Sequence, residues 1–102
     1  MAEQGYYIGE DLKFKIAISA NGFSQSTDNY DIDIYCGEQC LSFNQDDVIE
    51  DNGNFFLPVP TSNIITPGTL KMVIKAYVPD QDFEDGYRTE IAVKTFGNLR
   101  IV

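Results

Sequence analysis

Several residue types that carry common protein chemistry are missing or scarce in this sequence. The 102 residues include no histidine, no tryptophan and only two cysteines. Without histidine, a serine or cysteine nucleophile lacks its usual general base, and zinc on the two cysteines would need carboxylates as further ligands. The sequence also shows no glycine-rich phosphate loop, nucleophile elbow or metalloprotease motif. We therefore predict a protein that is not an enzyme and holds no cofactor or metal.

Positive charge is also scarce. Seven lysines and arginines stand against 16 acidic residues, which gives a formal net charge of -9. Binding to nucleic acid depends largely on lysine and arginine, and anionic membranes attract basic segments, so we predict neither as a direct partner. No apolar run approaches the roughly 20 residues of a membrane-spanning helix. The first residues also lack the basic and apolar segments that predict a secretion signal.

Alternation with a period of two is what the sequence has in abundance. Leu12, Phe14, Ile16 and Ile18 alternate with polar or small residues, which is typical of a strand with one buried face. The same pattern predicts buried faces made of three further sets: Ile32, Ile34 and Cys36; Leu70, Met72, Ile74 and Ala76; and Ile91 and Val93, with Glu90 and Lys94 on the opposite face.

Turn signals separate these segments at spacings of 8 to 12 residues, as expected for a sandwich. Asn52-Gly53 predicts a type I′ hairpin between residues 47–51 and 54–59. A second hairpin is predicted between 69–78 and 87–96, followed by a kink at Gly97-Asn98 into the segment 99–102. We predict that residues 1–102 form one all-β, immunoglobulin-like antiparallel sandwich of about seven strands. A small barrel is the alternative.

The two cysteines, Cys36 and Cys40, lie on either side of a predicted hairpin loop. If Cys36 lies opposite Leu41, then Ile34, Cys36, Leu41 and Phe43 share one face, whereas direct opposition of the cysteines separates these apolar residues. The first register buries more apolar surface. We therefore predict two reduced thiols and, from them, an assembly site that is reducing or intracellular.

Two prolines mark the segment 55–60. Pro58 and Pro60 have the same parity, so both missing N–H groups fall on one side of the strand. This predicts an edge strand on which further pairing is blocked. The alternative is that the prolines merely end the strand.

Acidic residues are concentrated in two turns. One holds Asp46, Asp47, Glu50 and Asp51; the other holds Asp80, Asp82, Glu84 and Asp85. The second turn suggests weak calcium binding, but it departs from the EF-hand loop, which requires glycine at position six, since Gly86 falls at seven. A solvated hairpin tip is the favoured interpretation.

Aromatic and basic residues suggest a partner surface. Five aromatic residues near strand ends and turns are candidate anchors, because aromatic residues are enriched at interfaces: Tyr6, Tyr7, Phe55, Phe83 and Tyr87. Four cations on the last predicted hairpin are candidates for one basic plate: Lys71, Lys75, Arg88 and Lys94. The alternative for the cations is an ordinary polar face. The alternative for Phe83 is that its ring folds back over the last hairpin.

A resemblance to a known group of proteins covers most of the chain. It lies in residues 67–90, PGTLKMVIKAYVPDQDFEDGYRTE, with GEDLKF at 9–14 upstream. These segments resemble small immunoglobulin-like proteins encoded among the structural genes of tailed phages and prophages of gut bacteria, including the crAss-like phages. The resemblance implies no catalytic residues.

What the resemblance implies is a virion component that is assembled in the host cytoplasm. The expected role is an auxiliary capsid protein, present in many copies and bound to the major capsid protein or to neighbouring structural subunits. A head-fibre, neck or tail component is the alternative. A function of another class, an immunoglobulin-like adhesin or carbohydrate-binding module, also fits the predicted fold, although the lack of tryptophan argues against a sugar-stacking platform.

Overall fold

The computed structural model describes residues 5–100, which are built almost entirely of β-strands. In chain order the strands are β1 (Gly5–Tyr7), β2 (Asp11–Lys15), β3 (Tyr30–Cys36), β4 (Gln39–Asn44), β5 (Ile49–Asp51), β6 (Asn54–Pro60), β7 (Gly68–Pro79) and β8 (Tyr87–Arg100). Two single-turn 3-10 helices lie at Gln45–Asp47 and Thr61–Asn63. No helix among the described residues is long and apolar enough to cross a membrane.

The strands form two sheets that pack face to face. One sheet has five strands in the order β1-β8-β7-β3-β4, and the other has three in the order β2-β6-β5. In an immunoglobulin sandwich, strands B, E and D share one sheet and G, F and C share the other. Here β2, β6 and β5 take the first set of places and β8, β7 and β3 take the second. The predicted all-β, immunoglobulin-like sandwich is confirmed.

The core lies between the two sheets and follows most of the predicted alternation. Alternate residues of β3 and of β7 are buried along the whole of each strand. The three-stranded sheet contributes Phe14, Leu57 and Val59, and Leu99 closes the core from the end of β8. The inward faces predicted for residues 12–18, 32–36 and 70–76 are therefore confirmed.

β2 is shorter than its alternation predicts. Ile16 still takes part in the ladder, because its N–H donates to the Phe55 carbonyl at 2.8 Å. The partner strand, however, begins only at Asn54. Beyond that point the Gln25 side chain replaces a strand. Its amide donates to the Ile16 carbonyl at 3.0 Å and its oxygen accepts from the Ile18 N–H at 3.1 Å. The apolar alternation thus continues past the end of the ladder.

The β3–β4 hairpin differs from its predicted register by two residues. Cys36 pairs with Gln39, Ile34 with Leu41 and Ile32 with Phe43, around a turn at Gly37-Glu38. Because a shift of two residues preserves the faces, the predicted apolar set still shares one side. Cys40 lies opposite Tyr35 and points outward, so both cysteines are free, Cys36 buried and Cys40 exposed.

The β5–β6 hairpin has the predicted type I′ turn. Asn52 and Gly53 have φ values of 52° and 80°, as this turn requires. The prediction of an edge strand at 55–60 is wrong for the strand as a whole, because β6 lies between β2 and β5. Its pairing with β5 ends at Phe56, however, and the ladder to β2 directs the N positions of Pro58 and Pro60 away from β2. The prolines therefore lie where β6 has no second neighbour.

The last hairpin, β7–β8, is confirmed, but the side chains of β8 point the other way from the prediction. Pairing of Ile91 with Lys75 and of Val93 with Val73 places both residues on the outer face, where they are exposed. The register follows from the turn, which sets Tyr87 opposite Pro79 and so Arg88 opposite the buried Val78. The buried face of β7 then decides the faces of β8.

The predicted kink at Gly97-Asn98 is also wrong. β8 continues to Arg100 through a β-bulge opposite Leu70 and Lys71, where Phe96 is the extra residue and Gly97 has a φ of 103°. Past the bulge, β8 pairs in parallel with β1. Residues 1–4 of the predicted domain and residues 101–102 of its last segment lie outside the described residues.

Truncation of a buried residue of the smaller sheet tests this core. Leu57 is fully buried in the middle of β6, so Leu57→Ala is expected to lower the free energy of unfolding by about 2–5 kcal/mol. Ile65, which is 82% exposed, supplies the control Ile65→Ala, with an expected change below about 0.5 kcal/mol. Urea denaturation followed by circular dichroism measures both. Equal losses in the two variants would contradict the described core.

Thiol chemistry tests the β3–β4 register. Cys40 is expected to react promptly with Ellman's reagent in the folded protein, because it is exposed. Cys36 is expected to react only on unfolding, since it is buried against the Thr66 carbonyl at 3.2 Å and burial raises the pKa of its thiol. Cys40→Ser should remove the fast phase alone. Fewer than two titratable thiols in denaturant would indicate a disulfide and contradict the register.

Candidate partner-binding surface

The part of β8 from Tyr87 to Thr95 is open on both sides. Every residue in this stretch is exposed except Arg88, which is half-buried. The three-stranded sheet covers β7 and β3 but does not extend over this part of β8. An open groove of about 230 Å³ runs along its inner side, lined by the segment 17–20 after β2 and by residues 90–92 and 94. Residues of the sandwich's largest sheet are thus available to a partner.

An apolar strip lies on the outer face of this hairpin. We call Val73, Ile91 and Val93 the outer strip: Val73 lies directly opposite Val93, and Ile91 is two residues away on the same face. Ile91 and Val93 are 60% and 58% exposed. The prediction that residues 91 and 93 belong to the core is wrong. The pairing with β7 decides which face of β8 is buried, and local alternation does not contain that information.

Polar residues occupy the other half of the same face, on β3 and β4. Asp31 accepts a hydrogen bond from the Tyr77 hydroxyl at 2.7 Å, and Asp33 accepts one from the Ser42 hydroxyl at 2.8 Å. The bond to Asp31 is the main reason that the pKa of the Tyr77 phenol is raised. Asp31 and Asp33 line an open groove of about 350 Å³, together with Lys75 at its border with the outer strip.

The third feature of this face is an aromatic and basic pair at the β3–β4 end. The ammonium of Lys71 lies 5.5 Å from the centre of the Tyr35 ring, which is within the range of a cation–π contact. Cys40 lies opposite Tyr35 on β4, and its sulfur is the main cause that raises the pKa of the Tyr35 phenol. The outer face therefore runs from acidic and aromatic groups on β3 to aliphatic groups on β8.

The five aromatic residues predicted to be anchors separate into two groups. Tyr6 and Phe55 pack against the core and are half-buried. Tyr7, Phe83 and Tyr87 are 46%, 49% and 45% exposed. Of these, Tyr87 shares the outer face of β8 with Ile91 and Val93, while Phe83 lies at the tip of the turn. Only the exposed group is accessible to a partner.

The four predicted cations do not form one plate. Lys71 and Lys75 are on the outer face of β7, whereas Arg88 and Lys94 pair with the buried Val78 and Met72 and so share the inner face. The prediction of one basic plate fails for the same reason as the prediction for Ile91 and Val93. The register between β7 and β8 places the side chains of β8 on the faces opposite to those predicted. Two lysines therefore border the outer strip, and the other two cations lie behind it.

Arg88 is held by contacts within the chain. Its guanidinium donates to Asp80 at 2.6 Å, to Glu90 at 3.0 Å and to the Asn21 carbonyl at 2.9 Å. These bonds join the 80–86 turn to the loop after β2, and those to Glu90 and Asp80 raise the pKa of the guanidinium. The second oxygen of Asp80 accepts from the Asp82 N–H at 3.0 Å. We infer that Arg88 positions the turn.

Two of the four acids of the 80–86 turn, Asp80 and Asp85, accept hydrogen bonds within the hairpin. Asp80 is bound as described, and Asp85 accepts from the Tyr87 N–H at 3.1 Å. Among residues 5–100, no group of three or more histidine, cysteine, aspartate or glutamate side chains is arranged to hold a metal ion. The turn is closed by the Asp80 N–H, which donates to the Gly86 carbonyl at 2.9 Å.

Comparison with models of protein families, with curated proteins and with solved structures yields no match to this chain. The chemistry of the surface itself therefore carries the argument about function.

The Asp80–Arg88 contact predicts an acid dependence of stability. The bonds from the Asp82 N–H and then from Arg88 lower the pKa of Asp80. A carboxylate of this kind stabilises the fold above its unfolded pKa, and the stabilisation disappears as the pH falls through the folded pKa. Asp80→Asn is therefore expected to lower the melting temperature at pH 7 by a few degrees and to leave it unchanged at an acidic pH below the folded pKa of Asp80.

Thermal denaturation followed by circular dichroism at the two pH values measures this difference. Glu84→Gln, in the same turn but without an ion pair to Arg88 among the described contacts, is the matched control. A deficit in Asp80→Asn that persists unchanged at low pH would show that the lost stability does not come from the ionised carboxylate.

Proposed function

We propose that this protein is a non-enzymatic structural subunit that docks on a larger protein shell through the outer face of its five-stranded sheet. The observation that supports the proposal is the outer strip. Two aliphatic side chains, Ile91 and Val93, lie more than half exposed on a regular strand and adjoin a third at Val73. Contiguous apolar surface with a polar border is typical of protein interaction sites.

The border of the strip supports a protein partner and suggests its chemistry. Lys71 and Lys75 adjoin the strip on β7, and Asp31 and Asp33 lie on the next strand. A complementary surface would offer an apolar patch with carboxylates beside the lysines and basic groups facing the acids. Because these charges change sign across the face, they fix the orientation in which a partner docks.

The kind of shell is suggested by the resemblance of residues 67–90 to immunoglobulin-like phage proteins. Those residues comprise all of β7, the turn and β8 as far as Glu90, so they include Val73 of the outer strip and end just before Ile91. The proposed role is an auxiliary capsid protein of a tailed-phage virion, assembled in the host cytoplasm and bound in many copies.

Quantitative mass spectrometry of purified particles from the source tests this role. A copy number near that of the major shell protein is expected for an auxiliary capsid protein. A few copies per particle would replace it with the head-fibre, neck or tail role. Absence from the particles would overturn a virion function and leave the adhesin or carbohydrate-binding module as the function to test, by binding to glycans.

Charge substitution on the outer face tests the docking surface. Lys75→Glu and Val73→Glu are each expected to weaken binding to shells stripped of this protein by roughly tenfold or more, because Val73→Glu places a charge within the outer strip and Lys75→Glu reverses the charge at its border. The matched control is Lys13→Glu, a lysine on the outer face of the three-stranded sheet, above Phe56 at 5.0 Å. Cosedimentation of added protein with shells measures the binding.

The result that contradicts the proposal is equal binding by all of these variants. Because Val73 is only half-buried and Lys75 points outward, the folded state of each variant can be verified separately by its circular dichroism and melting temperature. Loss of binding by Lys13→Glu alone would move the docking surface to the smaller sheet.

A further inference from the structure

The outer edge of β8 has no neighbouring strand between Tyr87 and Gly97 within the described part of the chain, since β1 begins to pair only at Asn98. The Asp80 N–H donates to the Gly86 carbonyl, and hydrogen-bonded pairs alternate along an antiparallel ladder. Residues 88, 90, 92 and 94 therefore bond to β7. The N–H and carbonyl groups of residues 89, 91, 93 and 95 point to the free edge, where a further strand can bind.

We propose that this edge pairs with the same edge of a second copy, antiparallel, about a two-fold axis at Ala92. The two five-stranded sheets would then form one continuous sheet of ten strands. The proposal does not rest on the function proposed above, because it concerns the edge of the sheet and not its outer face.

Charge favours this register over those with the axis at Glu90 or Ile91. An axis at Glu90 sets Glu90 against itself, and an axis at Ile91 sets Arg88 against Lys94. An axis at Ala92 sets Glu90 of each copy directly opposite Lys94 of the other, so two pairs of opposite charge flank the axis. Opposite charges across a ladder stabilise it and like charges destabilise it. The only side chain on the axis is then the small Ala92.

The outer face agrees with the same register. Ile91 of each copy lies opposite Val93 of the other, so the two-fold axis gives two hydrogen-bonded pairs of this kind. Thr89 and Thr95 form the next such pairs on either side. The two outer strips then meet at the axis, so that both exposed aliphatic residues of each copy gain an apolar neighbour. Cross-strand pairs of β-branched residues are among those that stabilise a ladder.

Charged residues that point inward on an edge strand can also prevent pairing. Glu90 and Lys94 point inward, but the smaller sheet does not cover them and both are exposed. They therefore remain near water in the paired state, and each meets an opposite charge. A lone lysine would oppose pairing, whereas this spacing of glutamate and lysine about an alanine is complementary to itself.

Charge-reversal complementation tests the proposal. The unmodified chain is expected to form dimers in sedimentation equilibrium. Glu90→Lys and Lys94→Glu are each expected to weaken dimerisation on the order of tenfold, since each creates two like-charge pairs. In an equimolar mixture of the two variants, heterodimers are expected to recover the lost affinity, because every pair is again of opposite sign. Native mass spectrometry distinguishes heterodimers from homodimers.

A cysteine scan tests the register independently of affinity. In a Cys40→Ser background, Ala92→Cys is expected to give a disulfide-linked dimer on mild oxidation, since residues on the axis of a non-hydrogen-bonded pair have Cα atoms about 4.5 Å apart. Ile91→Cys and Val93→Cys are the matched controls and are expected to cross-link several times less, because neither meets its own copy.

Three results would overturn the proposal. The first is a chain that remains monomeric at several hundred micromolar and gives no Ala92→Cys cross-link. The second is stronger association of Lys94→Ala than of the unmodified chain, which would show that Lys94 prevents strand pairing at this edge. The third is preferential cross-linking at residue 91 or 93, which would place the axis elsewhere. Shell binding in the assay above is unaffected by any of these, so the two proposals fail separately.

Discussion

A three-stranded sheet packs against a five-stranded one, and the difference in their widths determines which residues can be buried. The inward faces of β3 and β7 lie above the smaller sheet, and every inward residue of β3, and of β7 from Leu70 to Val78, is buried. Strands β4 and β8 extend past it on either side. Leu41 and Phe43 of β4 are consequently only half-buried, and Glu90, Ala92 and Lys94 of β8 are exposed. The inward side chains that reach solvent are therefore those of the strands that the smaller sheet does not cover.

The composition of β8 is explained by the same mismatch. Residues 89–95 read Thr-Glu-Ile-Ala-Val-Lys-Thr, with β-branched residues on the outer face and charged residues or alanine on the inner face. Where neither face is covered, packing contributes little, and β-branched side chains favour the extended backbone. The long ladder to β7 supplies the rest. A strand of this kind can be regular and yet present almost all of its side chains to a partner.

The bulge at Phe96 ends this exposed stretch. It adds one residue to β8, so that the faces change and Phe96 and Leu99 turn towards the core. The Phe96 ring lies 4.8 Å from the ring of Phe14, and Leu99 is fully buried. Full burial of a side chain such as Leu99 contributes about 1.5–3 kcal/mol. The bulge thus joins an uncovered strand to a buried strand end without a break in the ladder.

Much of the fold follows from local patterns. The alternations of residues 12–18, 32–36 and 70–76 each contain enough apolar positions to fix their faces, and Asn52-Gly53 fixes a turn type. At 90–94 the pattern supplies only Ile91 and Val93, and the local prediction reverses the true faces. The deciding information is non-local, since the turn sets the register and the buried face of β7 then imposes the faces of β8. The two apolar residues of β8 do not determine its faces when the longer alternation of β7 sets the opposite ones.

The candidate site was harder to predict for the same reason. Its residues were identified mainly as aromatic anchors and cations, and of these Lys71, Lys75 and Tyr87 lie on the outer face. Local alternation predicts Ile91 and Val93 of the outer strip to be core residues, because a local pattern does not indicate how far the opposing sheet extends. On the side next to β8 the smaller sheet is bounded by β2, which ends at Lys15 and whose Phe14 ring lies 4.8 Å from Phe96. That boundary is far from β8 in sequence.

The two proposed contacts use different parts of the same hairpin. Docking on a shell uses side chains that point outward from the sheet, and pairing of two copies uses backbone groups in the plane of the sheet together with side chains that point inward. The contacts are therefore compatible, and pairing would set two outer strips side by side about a two-fold axis. A pair that binds a symmetric shell with both strips must align its axis with a two-fold axis of that shell. Effective concentration then strengthens the second contact without any new interaction, so the symmetry of the edge would determine where on the lattice the subunit binds.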